Sequence, residues 1–247
     1  MGRLSGRVAI VTGAARGIGR GIATAFAREG AALALVDRDD RTLQEAREEC
    51  SGHGYGAIAI VADVSDPREV DEIVDRTLTE LGGLHILVNN AGVCSVSTVA
   101  EMELKEWRRI IDTDLTGVFL CTKAVLPAMM ARRYGRIISI GSQLATKGSA
   151  TMAHYCAAKS GVHGFTRALA YEVAPYRITA NVIAPGPIET DMLWADPKEW
   201  LDAKRAEIPL GRFGRVEEIA PTAVLLASDE GAYYTGSTLN VSGGDVM

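Results

Sequence analysis

The feature that most constrains the fold of this chain is a regular alternation of short apolar runs and longer helical patterns. RVAIVT, ALALVD and AIAIVAD are each followed by a helical segment, at 18–28, 41–50 and 67–81. The alternation continues through LHILVNNAG, GRIISIGS, ITANVIAPG and STLNVSGG. Runs of four to six apolar residues without period-two alternation are typical of strands buried on both faces of a parallel sheet. The sequence therefore predicts an α/β fold, a doubly wound sheet of about seven parallel strands with helices on both faces.

Composition narrows the class of protein. The 247 residues show no linker, so we expect a single domain spanning 1–247. The net charge of −5, with basic residues interleaved among acids, predicts no nucleic acid partner. No apolar run approaches the ~18 residues of a membrane span, so no membrane association is expected. Four scattered cysteines and four dispersed histidines favour a reducing, cytoplasmic location and no metal site.

A glycine-rich turn, TGAARGIG at 12–19, lies between the first apolar run and a helical pattern. Ligands of open parallel sheets bind beyond the carboxyl ends of the strands, where this turn lies. Gly13, Gly17 and Gly19 permit a tight turn and close approach of a pyrophosphate to the helix N-terminus. An ordinary tight turn is the alternative. The strand–turn–helix setting favours a dinucleotide site of the Rossmann type.

Asp37 ends the second apolar run, about twenty residues after the last glycine of the turn. A carboxylate at this place accepts hydrogen bonds from the adenosine ribose and repels a 2′-phosphate, which favours NAD. Two alternatives remain. Asp37 caps the helix that begins near Asp39, or Arg16 and Arg38 attract the phosphate of NADP, which stays a possible cofactor.

Two further motifs follow the fourth and fifth apolar runs. NNAG at 89–92 suggests backbone packed against a ligand, although an ordinary Asn turn has the same sequence. The fifth run ends at Ser142, and thirteen residues later HYCAAK places Tyr155 and Lys159 on one helical face. Such a pair alone usually lies at the surface, so it is the combination of motifs that indicates a site.

In type, order and spacing these motifs resemble the short-chain dehydrogenase/reductase family. The glycine turn, NNAG, the serine before YxxxK and PGPIET at 185–190 carry the resemblance, which extends from Gly6 to Gly244. The second half is most similar to bacterial 3-oxoacyl-carrier-protein reductases and the polyol and sugar dehydrogenases near them. The resemblance implies an NAD(P)-dependent enzyme that interconverts a secondary alcohol and a ketone by hydride transfer.

The resemblance also assigns roles. Tyr155 is implied as general acid/base, with Lys159 and oxidised nicotinamide expected to lower its pKa from about 10. Ser142 is expected to hold the substrate oxygen and Lys159 the nicotinamide ribose. The implied cofactor-binding residues are Gly13, Arg16, Gly17, Ile18, Gly19, Asp37, Asp63, Val64, Asn90, Ala91, Gly92, Tyr155, Lys159, Pro185, Gly186, Ile188 and Thr190.

The segment 191–214 matches the variable substrate lid of the family, with a helical surface excursion as the alternative. The family's 3-oxoacyl reductases use NADPH and a basic residue just before the Glu of an REVA segment. This chain has YEVA, with Tyr171, and carries Asp37 at the cofactor site. These differences favour a small polyol, sugar or hydroxyketone substrate.

Two alternatives to that substrate class stay open. Reduction of a 3-oxoacyl thioester is the first, because Arg132, Arg133 and Arg136 are expected to form a basic patch that meets an acidic carrier. A nucleotide-binding regulator without catalysis is the second. The family commonly forms homotetramers through helices matching about 104–132 and 153–174, so a homotetramer is expected.

Two acids, Asp112 and Asp114, interrupt the apolar run IIDTDLTGVFL at 110–120. Helical residues two apart point about 200° away from each other, so Asp112 is expected at the surface and Asp114 in the interior. The family carries an asparagine where this chain has Asp114, and that asparagine kinks the helix. The resemblance makes Asp114 the fourth member of the catalytic set. A charged Asp114 is expected to oppose part of the effect of Lys159 on Tyr155.

Overall fold

The protein is described by a computed structural model that covers residues 2–53, 55–195 and 197–247. The predicted α/β fold is confirmed: the seven predicted runs form one parallel sheet in the order β3-β2-β1-β4-β5-β6-β7. The strands are β1 (Val8–Thr12), β2 (Ala32–Asp37), β3 (Ala57–Val61), β4 (Ile86–Asn89), β5 (Gly135–Ile140), β6 (Ile178–Pro185) and β7 (Thr238–Val241).

Ten α-helices lie among the described residues. They are α1 (Gly17–Arg28), α2 (Asp40–Ser51), α3 (Pro67–Leu81), α4 (Leu104–Ile111), α5 (Gly117–Arg132), α6 (Leu144–Lys147), α7 (Ala153–Val173), α8 (Asp191–Trp194), α9 (Lys198–Glu207) and α10 (Val216–Ala227). Short 3₁₀ turns occur at Ala174–Tyr176 and Asp229–Gly231.

The sheet is the middle layer of three. Strand β1 is buried along its whole length and pairs with β2 and β4, with Val8 opposite Ala32 and Ala9 opposite Ile86. Apolar side chains of α1, α2 and α10 cover one face, and those of α3, α5 and α7 cover the other. Because the strand order reverses between β1 and β4, a crevice forms at their carboxyl ends.

Helices α4 and α5 are continuous through a π-helical turn, Asp112–Thr116. By length and composition the combined helix, Leu104–Arg132, is sufficient to cross a membrane, a test that core helices of globular proteins also pass. Here Val125 and Met129 pack into the core beside the sheet. Asp114 is fully buried and Asp112 exposed, as their angular separation predicts.

The predicted lid contains α8 and α9 and has a small core of its own, formed by Leu193, Leu201, Ile208 and Phe213. Its C-terminal end is tied to the loop before it, since Gly214 pairs with Ile188 in a parallel β-bridge. Within this segment Asp196 lies outside the described residues. The described part of the segment 191–214 is therefore a packed helical excursion anchored next to the loop after β6.

Candidate active site

The glycine-rich turn forms a tight connection between β1 and α1. Gly13 and Gly17 have positive φ angles, +64° and +54°, which side chains other than glycine rarely adopt. A Cβ on Gly19 would lie 2.1 Å from the carbonyl oxygen of Gly13. The backbone is thus closed on itself, and the N-terminus of α1 faces the cleft with free amides.

Thr12, which sequence reasoning did not single out, ties this turn to NNAG. Its Oγ1 accepts hydrogen bonds from the backbone N–H groups of Asn90 (3.0 Å) and Ala91 (3.1 Å). The side-chain amide of Asn90 donates to the carbonyls of Thr12 and Gly13, both at 3.0 Å. NNAG therefore holds the glycine turn in place, and the side-chain amide of Asn90 donates both hydrogen bonds to the carbonyls of the turn.

Asp37 reaches from the end of β2 to the same turn. Its Oδ2 accepts from the backbone N–H of Ala15 at 3.1 Å, and its Oδ1 from those of Arg38 and Asp39. The capping alternative is wrong, because α2 is capped by Asp39, whose Oδ1 accepts from Thr42 N–H at 3.2 Å. The carboxylate of Asp37 lines the cleft instead.

Both arginines that were considered as partners for a 2′-phosphate are paired with carboxylates. Arg16 donates to Asp39, and Arg38 lies 3.3 Å from Asp63. Burial raises the pKa of Asp63, but hydrogen bonds from Ser65 and the charge of Arg38 outweigh it and leave that pKa below its usual value. Asp63 and Val64 line a smaller hollow beside Asp37.

The segment after β6 completes the far side of the cleft. A Cβ on Gly186 would lie 2.8 Å from Cα of Ser242, so only glycine fits there. Thr190 Oγ1 donates to the carbonyl of Ile188 at 3.2 Å. A Cβ on Gly17 would lie 3.3 Å from Cγ2 of Thr190, so this segment meets the glycine turn across the cleft.

Ser142, Tyr155 and Lys159 line the same cleft of about 2080 Å³. It is also lined by Gly13, Arg16, Gly17, Ile18, Asp37, Asn90, Ala91, Gly92, Pro185, Gly186, Ile188 and Thr190. Ser142 Oγ accepts from the Leu144 N–H at 3.1 Å, which fixes the hydroxyl at the start of α6. The structure therefore brings together residues that the sequence separates by well over a hundred positions.

Lys159 forms a buried ion pair with Asp114. Its Nζ lies 3.2 Å from Asp114 Oδ2 and donates to the carbonyl of Ile140 at 3.1 Å. Burial disfavours the charged lysine, but the carboxylate of Asp114 outweighs it and raises the pKa of Lys159 above its usual value. Burial raises the pKa of Asp114 too, against the opposing effects of Lys159 and the Val93 amide.

Lys159 lowers the pKa of Tyr155, as expected, but its charge does not decide the net direction of the shift. Burial raises the pKa of the phenol and the charge of Lys159 lowers it, but Asp114 raises it again. The net direction is upward. Sequence reasoning foresaw the opposing effect of Asp114, and it missed the weight of burial.

Comparison with known proteins agrees with this geometry. A family model described as enoyl-(acyl carrier protein) reductase matches residues 13–245. The chain is 43% identical over 242 residues to 3-oxoacyl-(acyl-carrier-protein) reductase FabG of Escherichia coli strain K12, and the match covers 98% of each chain. It is also 43% identical over 251 residues to 3-oxoacyl-(acyl-carrier-protein) reductase of Synechocystis, covering 100% of both.

Solved structures give the same result. A short-chain type dehydrogenase/reductase from Mycobacterium marinum superimposes with a TM-score of 0.94 at 38% identity, over 98% of this chain and 96% of that one. The chain belongs to the short-chain dehydrogenase/reductase family. A putative short-chain alcohol dehydrogenase from Sinorhizobium meliloti reaches a TM-score of 0.95 at 39% identity, over 98% of this chain and 97% of that one. Like the rest of the family, the protein is an oxidoreductase that acts on CH–OH groups and uses a nicotinamide cofactor.

Beyond the family motifs, the end of the cleft next to α9 holds a buried charge cluster that the sequence did not reveal. The carboxylate of Asp245 accepts hydrogen bonds from Gln143, from Lys147 Nζ at 2.8 Å and from Lys204 Nζ at 2.9 Å. Only 3% of the Asp245 side chain is exposed. The cluster joins the C-terminal tail, α6 and the lid helix α9. No signal links these residues in the sequence.

A second network fixes the N-terminus of α7, one residue before Tyr155. His154 is fully buried, and its Nε2 lies 2.9 Å from Ser95 Oγ, which donates to Glu106. Arg109 and Ser95 together lower the pKa of Glu106 to about 2. The network connects α4, the loop after β4 and the helix that carries the phenol.

The expected basic patch does not form. Arg136 belongs to β5 and is only 4% exposed; its guanidinium lies 4.5 Å from the ring centre of Tyr134. Arg133 donates to the carbonyl of Pro175 at 2.8 Å. The three arginines are close in sequence, but a helix, a turn and a strand direct them to different surroundings. Among the described residues no group of three His, Cys, Asp or Glu side chains could hold a metal ion.

Proposed function

We propose that the enzyme reduces the ketone of a 3-oxoacyl thioester to a secondary alcohol, with NADH as the cofactor. The observation that carries this substrate class is the match to 3-oxoacyl-(acyl-carrier-protein) reductases along essentially the whole chain. The support extends to the site, because the cleft continues past Ser142 and Tyr155 to the lid, where Trp200 lines it. A cleft of this extent accommodates an extended acyl chain.

The residues present fit a nicotinamide dinucleotide. The glycine turn leaves no room for side chains at Gly13 and Gly19, so only backbone meets a pyrophosphate there. Asp37 stands where a ribose hydroxyl is bound, and the pairing of Arg16 and Arg38 with acids leaves a 2′-phosphate without a dedicated cation. When bound, the nicotinamide supplies the hydride. Ile188 and Thr190 would hold its carboxamide and Lys159 its ribose.

The remaining chemistry belongs to three side chains. Ser142 would donate a hydrogen bond to the substrate ketone and place it beside the phenol. Tyr155 would transfer its proton to that oxygen as the carbonyl carbon receives the hydride. Lys159 stabilises the phenolate that remains, since its Nζ lies 5.6 Å from the centre of the tyrosine ring.

A small polyol, sugar or hydroxyketone is the second candidate substrate. The observation that favours it is Tyr171, which is 87% exposed where carrier-binding relatives are expected to present a basic residue. This feature argues against docking of an acidic carrier, and it leaves thioesters of small carriers unaffected. The intact Ser142, Tyr155 and Lys159 argue against a regulator without catalysis.

Initial rates test the proposal. A 3-oxoacyl thioester, on both a small thiol and an acyl carrier protein, is compared with a panel of sugars, polyols and hydroxyketones, each with NADH or NADPH for reduction and NAD or NADP for oxidation. We expect the highest kcat/KM for a thioester and saturation at lower concentration with the non-phosphorylated cofactor. Tyr155→Phe is expected to lower kcat by about 10² or more. A higher kcat/KM for a polyol would reverse the order of the two candidates.

We also propose a homotetramer assembled through α4–α5 and α7. Two glycines of α7 face different surroundings, Gly161 the interior of the same chain and Gly164 open space. A Cβ on Gly161 would lie 2.8 Å from Leu115 of the same chain, whereas nothing lies within 4 Å of one on Gly164. Phe119 of α5 is 46% exposed. Gly164 and Phe119 are therefore available to a second copy, and a monomer mass in light scattering would refute the assembly.

A further inference from the structure

The Asp114 carboxylate lies in direct contact with the lysine proposed for catalysis, Lys159. It is completely buried in the π-helical turn, and its Oδ1 accepts from the Val93 N–H at 2.8 Å while Oδ2 faces Lys159 Nζ at 3.2 Å. Gly92 covers the pair, since a Cβ there would lie 2.9 Å from Oδ2 and 3.3 Å from Nζ. The carboxylate is thus held rigidly by backbone on one side and lysine on the other.

The geometry determines the charge that Tyr155 experiences. A lone lysine at this distance from the ring would present a full positive charge and favour the phenolate. A lysine paired with a carboxylate within the same buried space presents little net charge. Tyr155 therefore keeps its proton to higher pH than the lysine alone would allow.

Other titratable groups face this arrangement from neighbouring elements. Cys94, in the loop after β4, acts on Tyr155 and Lys159. Arg109 of α4 acts on Asp114, and His163, one turn along α7, faces Lys159. None of these replaces the carboxylate, because only Asp114 forms an ion pair with Lys159 among the described residues.

We infer that Asp114 is a positioning residue that neutralises Lys159 and so keeps Tyr155 in the protonated form, which adapts the site to donating a proton to a ketone. The inference concerns the direction of the proposed reaction and rests on that proposed function. It predicts that reduction stays fast well above neutral pH, because the Tyr155 phenol remains protonated. Oxidation, which needs the phenolate, reaches its full rate only at alkaline pH.

Titration of the phenol tests the inference without any substrate. Absorbance near 295 nm is followed against pH for the wild type and for Tyr155→Phe, and the difference isolates Tyr155. In the wild type we expect ionisation above the usual value of about 10. The variant Asp114→Asn keeps the size of the side chain and an oxygen for the Val93 amide. We expect it to lower the titration of Tyr155 by about one pH unit.

The matched control is Asp112→Asn, which removes the same charge from an exposed position two residues away and is expected to leave the titration unchanged. In alcohol oxidation, with whichever substrate the initial rates identify, Asp114→Asn should move the half-maximal rate downward by a similar amount. An unchanged or raised titration in Asp114→Asn would overturn the inference. If that variant does not fold, ionisation of wild-type Tyr155 below pH 9 would overturn it as well. Failure to turn over thioesters would refute the proposed substrate class and leave these titrations as they are.

Discussion

Asp245 holds three parts of the chain together at the end of the cleft next to α9, and its replacement by asparagine is expected to loosen the lid. In the wild type its carboxylate accepts hydrogen bonds from the side chains of Gln143, Lys147 and Lys204. The variant leaves Lys204, whose side chain is 9% exposed, with Glu207 at 2.9 Å as its one counter-charge among the described residues. Removing one partner of a buried ion pair costs about 3 to 5 kcal/mol.

The expected loss is at or somewhat below the lower limit of that range. Lys147 is 35% exposed and regains water when its partner is removed, and asparagine keeps the volume and one acceptor oxygen. About 2 to 3 kcal/mol is therefore lost, which for a chain of this size lowers Tm by about 4 to 12 °C. Because α9 carries Lys204, amide hydrogen exchange should speed up first in 198–207, and KM of the substrate should rise.

The pH dependence gives a second, independent check. Burial raises the pKa of Asp245, but the hydrogen bonds from Lys147, Lys204 and Gln143 outweigh it and hold the pKa below its usual value of about 3.9. A carboxyl with a lowered folded-state pKa contributes stability above the unfolded-state pKa and loses it as pH falls through the folded-state pKa. The difference in Tm between wild type and Asp245→Asn should therefore be largest near pH 7 and shrink below about pH 4.

The matched control is Asp202→Asn, which removes an exposed acid of the same helix paired with Lys198 and Arg205. Exposed pairs of this kind contribute little, so its Tm should stay close to that of the wild type. Equal Tm values for Asp245→Asn and the wild type at pH 7 would refute the reasoning. A large difference that persists unchanged at pH 3 would show that packing, and not charge, is responsible.

Three further substitutions address the cofactor site. Asp37→Ser should lower the preference for NAD over NADP about tenfold or more, measured as the ratio of kcat/KM values, because a 2′-phosphate is no longer repelled; Asp40→Ser, an exposed acid nearby, should leave the ratio unchanged. Thr12→Val keeps the shape but leaves the amides of Asn90 and Ala91 unpaired, at a cost of about 1 to 3 kcal/mol, so calorimetric unfolding should show reduced stability and titration weaker NADH binding. Gly19→Ala should abolish NADH binding in fluorescence titration because its Cβ would lie 2.1 Å from the Gly13 carbonyl oxygen, and retained affinity would show that the turn can rearrange.

The sheet and its helices were predictable because the central strands β1, β4, β5 and β6 are buried on both faces and their apolar runs therefore lack alternation. The boundaries of α3 were predicted without error, since Pro67 and Gly82 mark its ends. The glycine turn and the YxxxK pair were predictable for a related reason, because local backbone geometry and helical spacing depend only on residues close together in the sequence. Short sequence patterns of this kind correctly locate the residues at the ends of the strands.

Long-range contacts were not predictable in the same way. Lys204 and Asp245 are far apart in the chain, and their pairing depends on how the lid folds back onto the tail. Arg136 was grouped with Arg132 and Arg133 by sequence proximity, but a strand residue in the middle of a sheet has no access to the surface that a helix end offers. The direction in which the pKa of Tyr155 is shifted was also not predictable from the sequence. It depends on the balance between burial and two charges, whose distances are determined by the fold.

Stability gives only one reason for a carboxylate at position 114, which is that Lys159 is buried beside it. A buried ion pair usually stabilises a fold less than apolar residues of the same volume, because both charges lose their hydration. A neutral asparagine would still accept the Val93 amide, but it would leave Lys159 buried without a counter-charge, which costs about 3 to 5 kcal/mol. The carboxylate has one consequence that neither replacement shares, which is to weaken the field of Lys159 at Tyr155. If Asp114→Asn lowers the titration of Tyr155 as well as Tm, the charge serves proton donation in addition to stability. If it lowers Tm and leaves the phenol unchanged, the pair is structural and the preference for ketone reduction has another origin.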